Sequence, residues 1–185
     1  MARIVVLTGE RGVGKSTVCR ETVTLAQSQR YVCGGIITLT RPDGTREMLS
    51  LRDQKTRCLT VEPDTESAIV QGRFHFDPET LDWANGKLIH SVPCDLFVVD
   101  ELGPLEMERE AGLRSAISVL RGEEFALAIV VVRPELVVTA QVQLPISATT
   151  VLTVTTESRD RLPSILLKML KSGVHQEGGS FLRRK

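Results

Sequence analysis

Continuous apolar runs recur along the chain, separated by stretches whose apolar positions repeat at helical spacing. Ile4 to Leu7, largely β-branched, predicts a strand buried on both faces of a parallel sheet. A glycine-rich turn follows, then a helix from about Ser16 with Val18, Thr22, Leu25 and Ala26 on one side. Asp95 to Val99 and Phe125 to Val132 are further buried-strand runs, and Val151 to Val154 is the last strand. Asp77-Pro78-Glu79 starts a helix: a capping carboxylate, a proline at the first helical position and an acid near the positive dipole end. Leu81, Ala84 and Leu88 line it. A helix from about Met107 is expected to carry Leu113, Ala116, Ile117 and Leu120 on its core face. Arg133-Pro134-Glu135 starts a short helix. In the final helix Leu162, Ile165, Leu166, Met169 and Leu170 share a face. Pro163 must sit in its first turn, which favours Asp160 over Ser158 as the cap.

Between the first helix and Asp77 the texture changes. Gly34-Gly35 leads into Ile36 to Thr40, and Arg41-Pro42-Asp43-Gly44-Thr45 separates that run from Arg46 to Arg52. Pro-Asp-Gly between strand-like runs predicts a hairpin, an antiparallel insertion continued by Cys58 to Val61. Glu62 to Gln71 reads as a polar loop, and Phe74-His75-Phe76 as a short strand. No internal repeat is visible. Strands alternating with helices predict a mainly parallel central sheet flanked by helices, with right-handed crossovers and an antiparallel hairpin insertion. The 185 residues suit one α/β domain over 1–173, with a disordered tail over 174–185.

Apolar residues make up 42% of the chain, enough for a sizeable core, while Lys plus Arg equals Asp plus Glu. A formal charge of zero argues against nucleic acid as the main partner. At 4%, aromatics are too scarce for a base-stacking platform. Cys19, Cys33, Cys58 and Cys94 form no C-x-x-C pair, so buried reduced thiols are expected rather than a zinc cluster or a disulfide framework. The first apolar run is too short for a signal peptide, and the longest is too short to span a bilayer. A soluble cytoplasmic monomer is the expectation.

The chemistry concentrates at two places. Gly9-Glu10-Arg11-Gly12-Val13-Gly14-Lys15-Ser16 fits G-x-x-x-x-G-K-[ST] without a mismatch, with a buried strand before it and a helix after it. Its glycines permit the backbone angles that turn successive N–H groups inward to cradle phosphates. Lys15 can bridge β and γ oxygens, Ser16 can coordinate Mg²⁺, and Thr17 is a candidate α-phosphate contact. The second place is Leu96-Phe97-Val98-Val99-Asp100-Glu101, an apolar strand ending in two carboxylates. Asp100 would face the Mg²⁺, and Glu101 could accept a proton from an attacking water. One strand is expected to separate the two motif strands, with Phe125 to Val132 the natural candidate.

With these residues in hand, the chain resembles the small P-loop nucleoside-triphosphatases that include cancer-related nucleoside-triphosphatase. Thr8-Gly9-x-x-Gly12-Val13-Gly14-Lys15-Ser16-Thr17 and Val99-Asp100-Glu101-Leu102-Gly103-Pro104-Leu105-Glu106 carry the resemblance. Gly35-Ile36 with Arg41 and Arg46 resembles that family's basic hairpin, and Gly72-Arg73-Phe74 its glycine–aromatic strand. Thr155-x-x-Ser158-Arg159-Asp160 resembles its Asn-Arg-Asp signature, with Ser158 in place of the usual Asn. The likeness spans about residues 2 to 170. It implies a three-layer P-loop NTPase fold and slow, base-tolerant hydrolysis of triphosphates to diphosphate and phosphate with Mg²⁺. It brings Gly103 and Arg159 into the nucleotide-binding set.

Several arginines stay open at this level. Arg159 is either a base or phosphate contact or a solvated helix-start residue. Arg41 and Arg46 are either fingers in cis or, the favoured reading, hairpin surface charge. Arg133 ends the third central strand near the site. Trp83 reads as a packing residue. Two rival functions remain: a small-molecule or nucleotide kinase on the same fold, and a nucleotide-dependent switch or partner-binding module. A kinase predicts an arginine-rich lid, and no dense Arg cluster follows the third helix.

Overall fold

The computed structural model describes residues 2–109, 111–145 and 149–176. Five strands form the parallel part of its main sheet: β1 (Arg3–Thr8), β2 (Cys33–Thr40), β7 (Cys94–Leu102), β8 (Phe125–Val132) and β9 (Thr149–Thr153). β3 (Arg46–Ser50) and β4 (Thr56–Cys58) add on antiparallel beyond β2. The order across the sheet is β4-β3-β2-β7-β8-β1-β9. The strand of Phe125–Val132 therefore lies between β1 and β7, as its continuous apolar run requires; all eight of its residues are buried.

Alternation within these runs divides the core in two. Ile4 and Val6 of β1 point to one side, with Phe97, Val99, Ala128 and Val130. Helices α2 (Pro78–His90), α4 (Ser115–Gly122) and α5 (Val137–Gln143) cover that side through Leu81, Leu88, Ala116, Leu120 and Ala140. Val5, Leu7, Val98 and Ile129 point to the other. There α1 (Lys15–Ser28) and α6 (Leu162–Gln176) pack through Val18, Val23, Leu166 and Leu170. The result is three layers, helix on sheet on helix.

Local chemistry explains the turns. At the β2–β3 hairpin, the Asp43 carboxylate accepts from Thr45 N at 2.9 Å and from its hydroxyl at 2.6 Å. Gly44 supplies a φ of +88°. Asp77 caps α2 by accepting from Glu79 N and Thr80 N, with Pro78 at the first helical position. Gly35, at φ +109°, lets β2 run against β7; a Cβ there would collide with the Val98 carbonyl. Trp83 packs against the α2-side core, with the Arg57 guanidinium 5.4 Å from its ring centre.

Six expectations are corrected. The helix expected from Met107 is two helices, α3 (Pro104–Glu108) and α4, because Gly112 at φ +60° turns the chain between them. Leu113 lies before α4 yet is buried. The polar loop of Glu62–Gln71 ends in β5 (Ile69–Gln71), which pairs antiparallel with β6 (Phe74–Phe76). The added strand expected over Cys58–Val61 is β4, shifted toward the N-terminus, and Cys58 is exposed rather than buried. Asp160 does not cap α6: its carboxylate meets Arg159 Nε at 3.3 Å, while Arg161 N and Leu162 N bond back to Ser158 O. Finally, α6 runs to Gln176, with Val174 buried, so helix continues past residue 173. The rest of the expected tail, 177–185, lies outside the described residues.

Candidate functional site

The first half of the site is the turn from β1 into α1. Gly9, Gly12 and Gly14 hold φ values of +143°, +78° and +109°, which side-chain-bearing residues rarely adopt. A Cβ on Gly9 would stand 2.5 Å from the Val154 carbonyl. The loop is drawn tight by the Lys15 ammonium, which donates to Gly9 O at 2.6 Å and Glu10 O at 2.9 Å. Gly14 precedes α1 without a side-chain cap, so the first-turn N–H groups stay open for an anion. Glu10, Arg11 and Thr17 are exposed around this cradle, and Val13 and Ser16 are half-buried.

The second half is the end of β7. Asp100 is buried, and its Oδ2 has no hydrogen-bond partner among the described residues. Burial pushes its pKa up to about 7; a hydrogen bond from Ser16 and the charge of Lys15 pull the other way, while Glu101 adds to the rise. Thr8, at the end of β1, carries a buried hydroxyl that also has no partner among the described residues. An orphaned buried carboxylate oxygen beside a serine hydroxyl is a hard oxygen donor set and fits a small divalent cation. Ser16 and Asp100 are the residues that could hold it. Among the described residues no group of three His, Cys, Asp or Glu gathers at one point. A cation held by one or two protein oxygens and by ligand phosphates needs no such group.

Glu101 follows Asp100 through a cis peptide. Its Oε1 accepts from Arg133 Nε at 2.8 Å. Thr38 fixes the strand end, donating from its hydroxyl to the Asp100 carbonyl at 2.7 Å. Behind Glu101, the Glu106 carboxylate accepts from Gly103 N at 2.8 Å and Leu113 N at 2.9 Å. That clamp folds the Leu102–Leu113 segment back on itself and sets Gly103 against Glu101.

The arginines separate. Arg41 points outward and pairs with Glu47 at 2.7 Å, as a hairpin surface charge does. Arg46, expected to do the same, turns inward instead. It is half-buried on β3, 3.9 Å above the Phe74 ring, with Glu101, Arg11, Arg133 and Arg73 as its charged neighbours. Burial, reinforced by those three arginines, lowers its pKa. Arg159 lies over the phosphate loop, its Cδ 3.4 Å from where a Gly14 Cβ would stand. Ser158 shapes the turn before it, its hydroxyl accepting from Thr155 N at 2.9 Å.

Thus Lys15, Ser16, Asp100 and Glu101 come together at one edge of the sheet, with Gly103 behind and Arg159 above the loop. Sequence reasoning missed Thr38 and the clamping role of Glu106, and it set Arg46 on the wrong side of the hairpin. Only Arg46 left a trace: in the alternating run of β3 it falls on the same side as Met48 and Ser50, both of which are buried.

A three-layer sheet with a glycine-rich phosphate loop after β1, and paired carboxylates ending a strand two places away, defines a P-loop nucleotide-binding protein. The sequence profile of the NTPase family matches residues 4–167, and the chain belongs to that family. The nucleoside-triphosphatase THEP1 of Methanosarcina acetivorans is 33% identical over 133 residues, 70% of this chain and 75% of that protein. THEP1 of Methanosarcina barkeri is 35% identical over a stretch of the same length, 70% of this chain and 76% of that protein. The crystal structure of THEP1 from the hyperthermophile Aquifex aeolicus superposes with a TM-score of 0.68 at 17% identity, covering 91% of this chain and 99% of that one. The solution structure of a human cancer-related nucleoside triphosphatase gives 0.67 at 22% identity, covering 92% and 98%. At those identities the structural likeness establishes the shared fold.

Proposed function

We propose that this nucleoside-triphosphatase works with Mg²⁺, accepts ATP, GTP and the pyrimidine triphosphates alike, and uses Lys15, Asp100 and Glu101 as its central residues. The observation that carries the reading is the partnerless, buried Asp100 carboxylate oxygen beside Ser16 and Lys15, with Glu101 next in sequence. Loop N–H groups from Gly9 to Ser16 bind phosphates, which every nucleoside triphosphate shares, and this supports broad base tolerance. Thr17 and Arg159 border the same cradle.

In this reading Lys15 exchanges the Gly9 and Glu10 carbonyls for β and γ oxygens of the substrate. Mg²⁺, when bound by Ser16 and Asp100, would supply neutralisation of phosphate charge. Glu101, aimed by Arg133, takes a proton from a water whose oxygen attacks the γ-phosphorus. The bond from that phosphorus to the β–γ bridging oxygen breaks, its electron pair stays on the bridging oxygen, and nucleoside diphosphate and inorganic phosphate are released. Among the described residues no helix is long and apolar enough to cross a membrane. Four free thiols, three of them buried, support a cytoplasmic setting, and the balanced charge supports action without nucleic acid.

The test is phosphate release from ATP, GTP, CTP and UTP with and without Mg²⁺. Wild type should turn over all four only with the metal. Lys15→Ala should lose nucleotide binding. Glu101→Gln should lose ~10²- to 10⁴-fold in turnover while still binding nucleotide. Unchanged turnover in Glu101→Gln would remove Glu101 as the base, and metal-independent turnover would remove Mg²⁺.

A further inference from the structure

A small cavity of about 40 Å³ sits between the β2–β3 hairpin and the end of β7, lined by Thr38, Arg46, Gln71, Glu101, Gly103 and Glu106 among others. That is room for about three waters, or for one tetrahedral anion that displaces them. Two of the lining side chains carry buried donors with no partner among the described residues: Arg46 Nε and Gln71 Nε2. A buried N–H left unpaired is costly, and two of them on one cavity indicate an acceptor-rich occupant. Gln71 Nε2 lies 3.6 Å from where a Gly103 Cβ would stand, so this amide borders the segment that carries Glu101.

Charge agrees with geometry. The two acidic linings are already engaged: Glu101 with Arg133, and Glu106 with two backbone N–H groups. Arg46 has one acidic neighbour, Glu101, against three basic ones, Arg11, Arg133 and Arg73, and an anion would add to the side that Glu101 supplies alone. The chemistry supplies the anion. In an in-line displacement the water attacks from the Glu101 side, the phosphorus inverts, and the new phosphate moves away from the diphosphate toward the side the water came from. Glu101 is one of the residues that line the cavity, so that side borders it.

We propose that this cavity is an oxyanion subsite, in which Arg46 Nε and Gln71 Nε2 receive the inorganic phosphate once it has parted from the diphosphate. The subsite rests on the hydrolytic reading of Glu101, and it gives the hairpin a role, since β3 delivers a guanidinium to the product side of the reaction. Lysine would not substitute for Arg46, because it has a charge but no Nε–H at that depth.

The test is binding of inorganic phosphate to the full-length protein saturated with ADP, followed by titration calorimetry, beside the binding of ADP alone. Arg46→Lys should weaken phosphate binding about tenfold or more, and Gln71→Leu about fivefold, with ADP affinity held within about twofold. Arg46→Lys keeps the charge while removing the guanidinium that lies over Phe74, and Gln71→Leu keeps the packing, so two independent variants report on the site. Wild type that binds no phosphate, variants that bind it as wild type does, or a parallel fall in ADP affinity would each overturn the subsite. Binding needs no turnover. Arg46-dependent phosphate binding by a protein that releases none from triphosphates would sink the hydrolytic reading and spare the site.

Discussion

The Arg133 guanidinium donates to Glu101 at 2.8 Å, joining the residue after β8 to the residue that follows Asp100 on β7. Both side chains are about one-third exposed, 38% and 33%, so solvent screens the pair and its worth to stability is ~0.5 kcal/mol. Its value is directional, because it holds one carboxylate oxygen in place and so limits the orientations open to the other. Arg133→Gln should lower kcat about tenfold, with KM changed by less than about threefold and the unfolding free energy by less than ~1 kcal/mol. Steady-state kinetics and a thermal melt measure all three. A raised KM with kcat intact would make Arg133 a nucleotide ligand instead.

Glu106 answers two backbone donors at once, and removing it orphans both. Glu106→Ala should destabilise by ~2–4 kcal/mol, read from urea unfolding. Glu106→Gln should cost nearly as much, since its amide turns an N–H group toward a backbone N–H. Full stability in the glutamine variant would show that the clamp does not need both oxygens.

Asp53 accepts from Lys87 Nζ at 2.6 Å, and that hydrogen bond, first among several, holds its pKa down to about 2. A folded-state pKa below the unfolded value of about 3.9 means that the carboxylate stabilises the fold above pH ~4. That stability is lost as pH falls from about 4 to about 2. Screening limits the gain to less than ~1 kcal/mol. Asp53→Asn should therefore lower the melting temperature at neutral pH and match wild type near pH 2. A constant difference across that window would place the effect elsewhere.

Thiol labelling should be strongly divided. Cys58 is exposed, whereas burial raises Cys33 to about 12 and pushes Cys19 and Cys94 up as well. A disulfide reagent should modify one thiol quickly, and the other three only on unfolding. Cys58→Ser should abolish the fast phase. A second fast thiol would mean that one face of the sheet opens in the native state.

Much of this was legible in the residues. The apolar runs of β1, β7 and β8 name strands with two buried faces, and an all-apolar β8 can only be central. The phosphate loop is local, so spacing reveals it. What was not legible depends on partners distant in sequence. Thr56-Arg57-Cys58 is a strand because β3 offers an edge, and its own residues are all exposed. Ile69-Val70-Gln71 is one because Phe74–Phe76 folds onto it. Gly112 breaks a helical pattern whose apolar spacing continues through the break, because Glu106 reaches forward to Leu113 N. Arg46 reads as surface in a hairpin and becomes half-buried only once β5, β6 and the Glu101 segment close over it.

The strand order has a metrical consequence. The phosphate loop leaves β1 and the two carboxylates leave β7, with β8 between them. Neighbouring strands lie about 4.8 Å apart, so two steps across the sheet set the halves of the site roughly 10 Å from one another. That span is a property of hydrogen-bonded backbone and not of any side chain. Substitutions in the loops can change what the gap holds and how quickly it reacts, but its width comes in whole strands. The sheet thus acts as a ruler, graduated in strands, and the site reads two divisions of it.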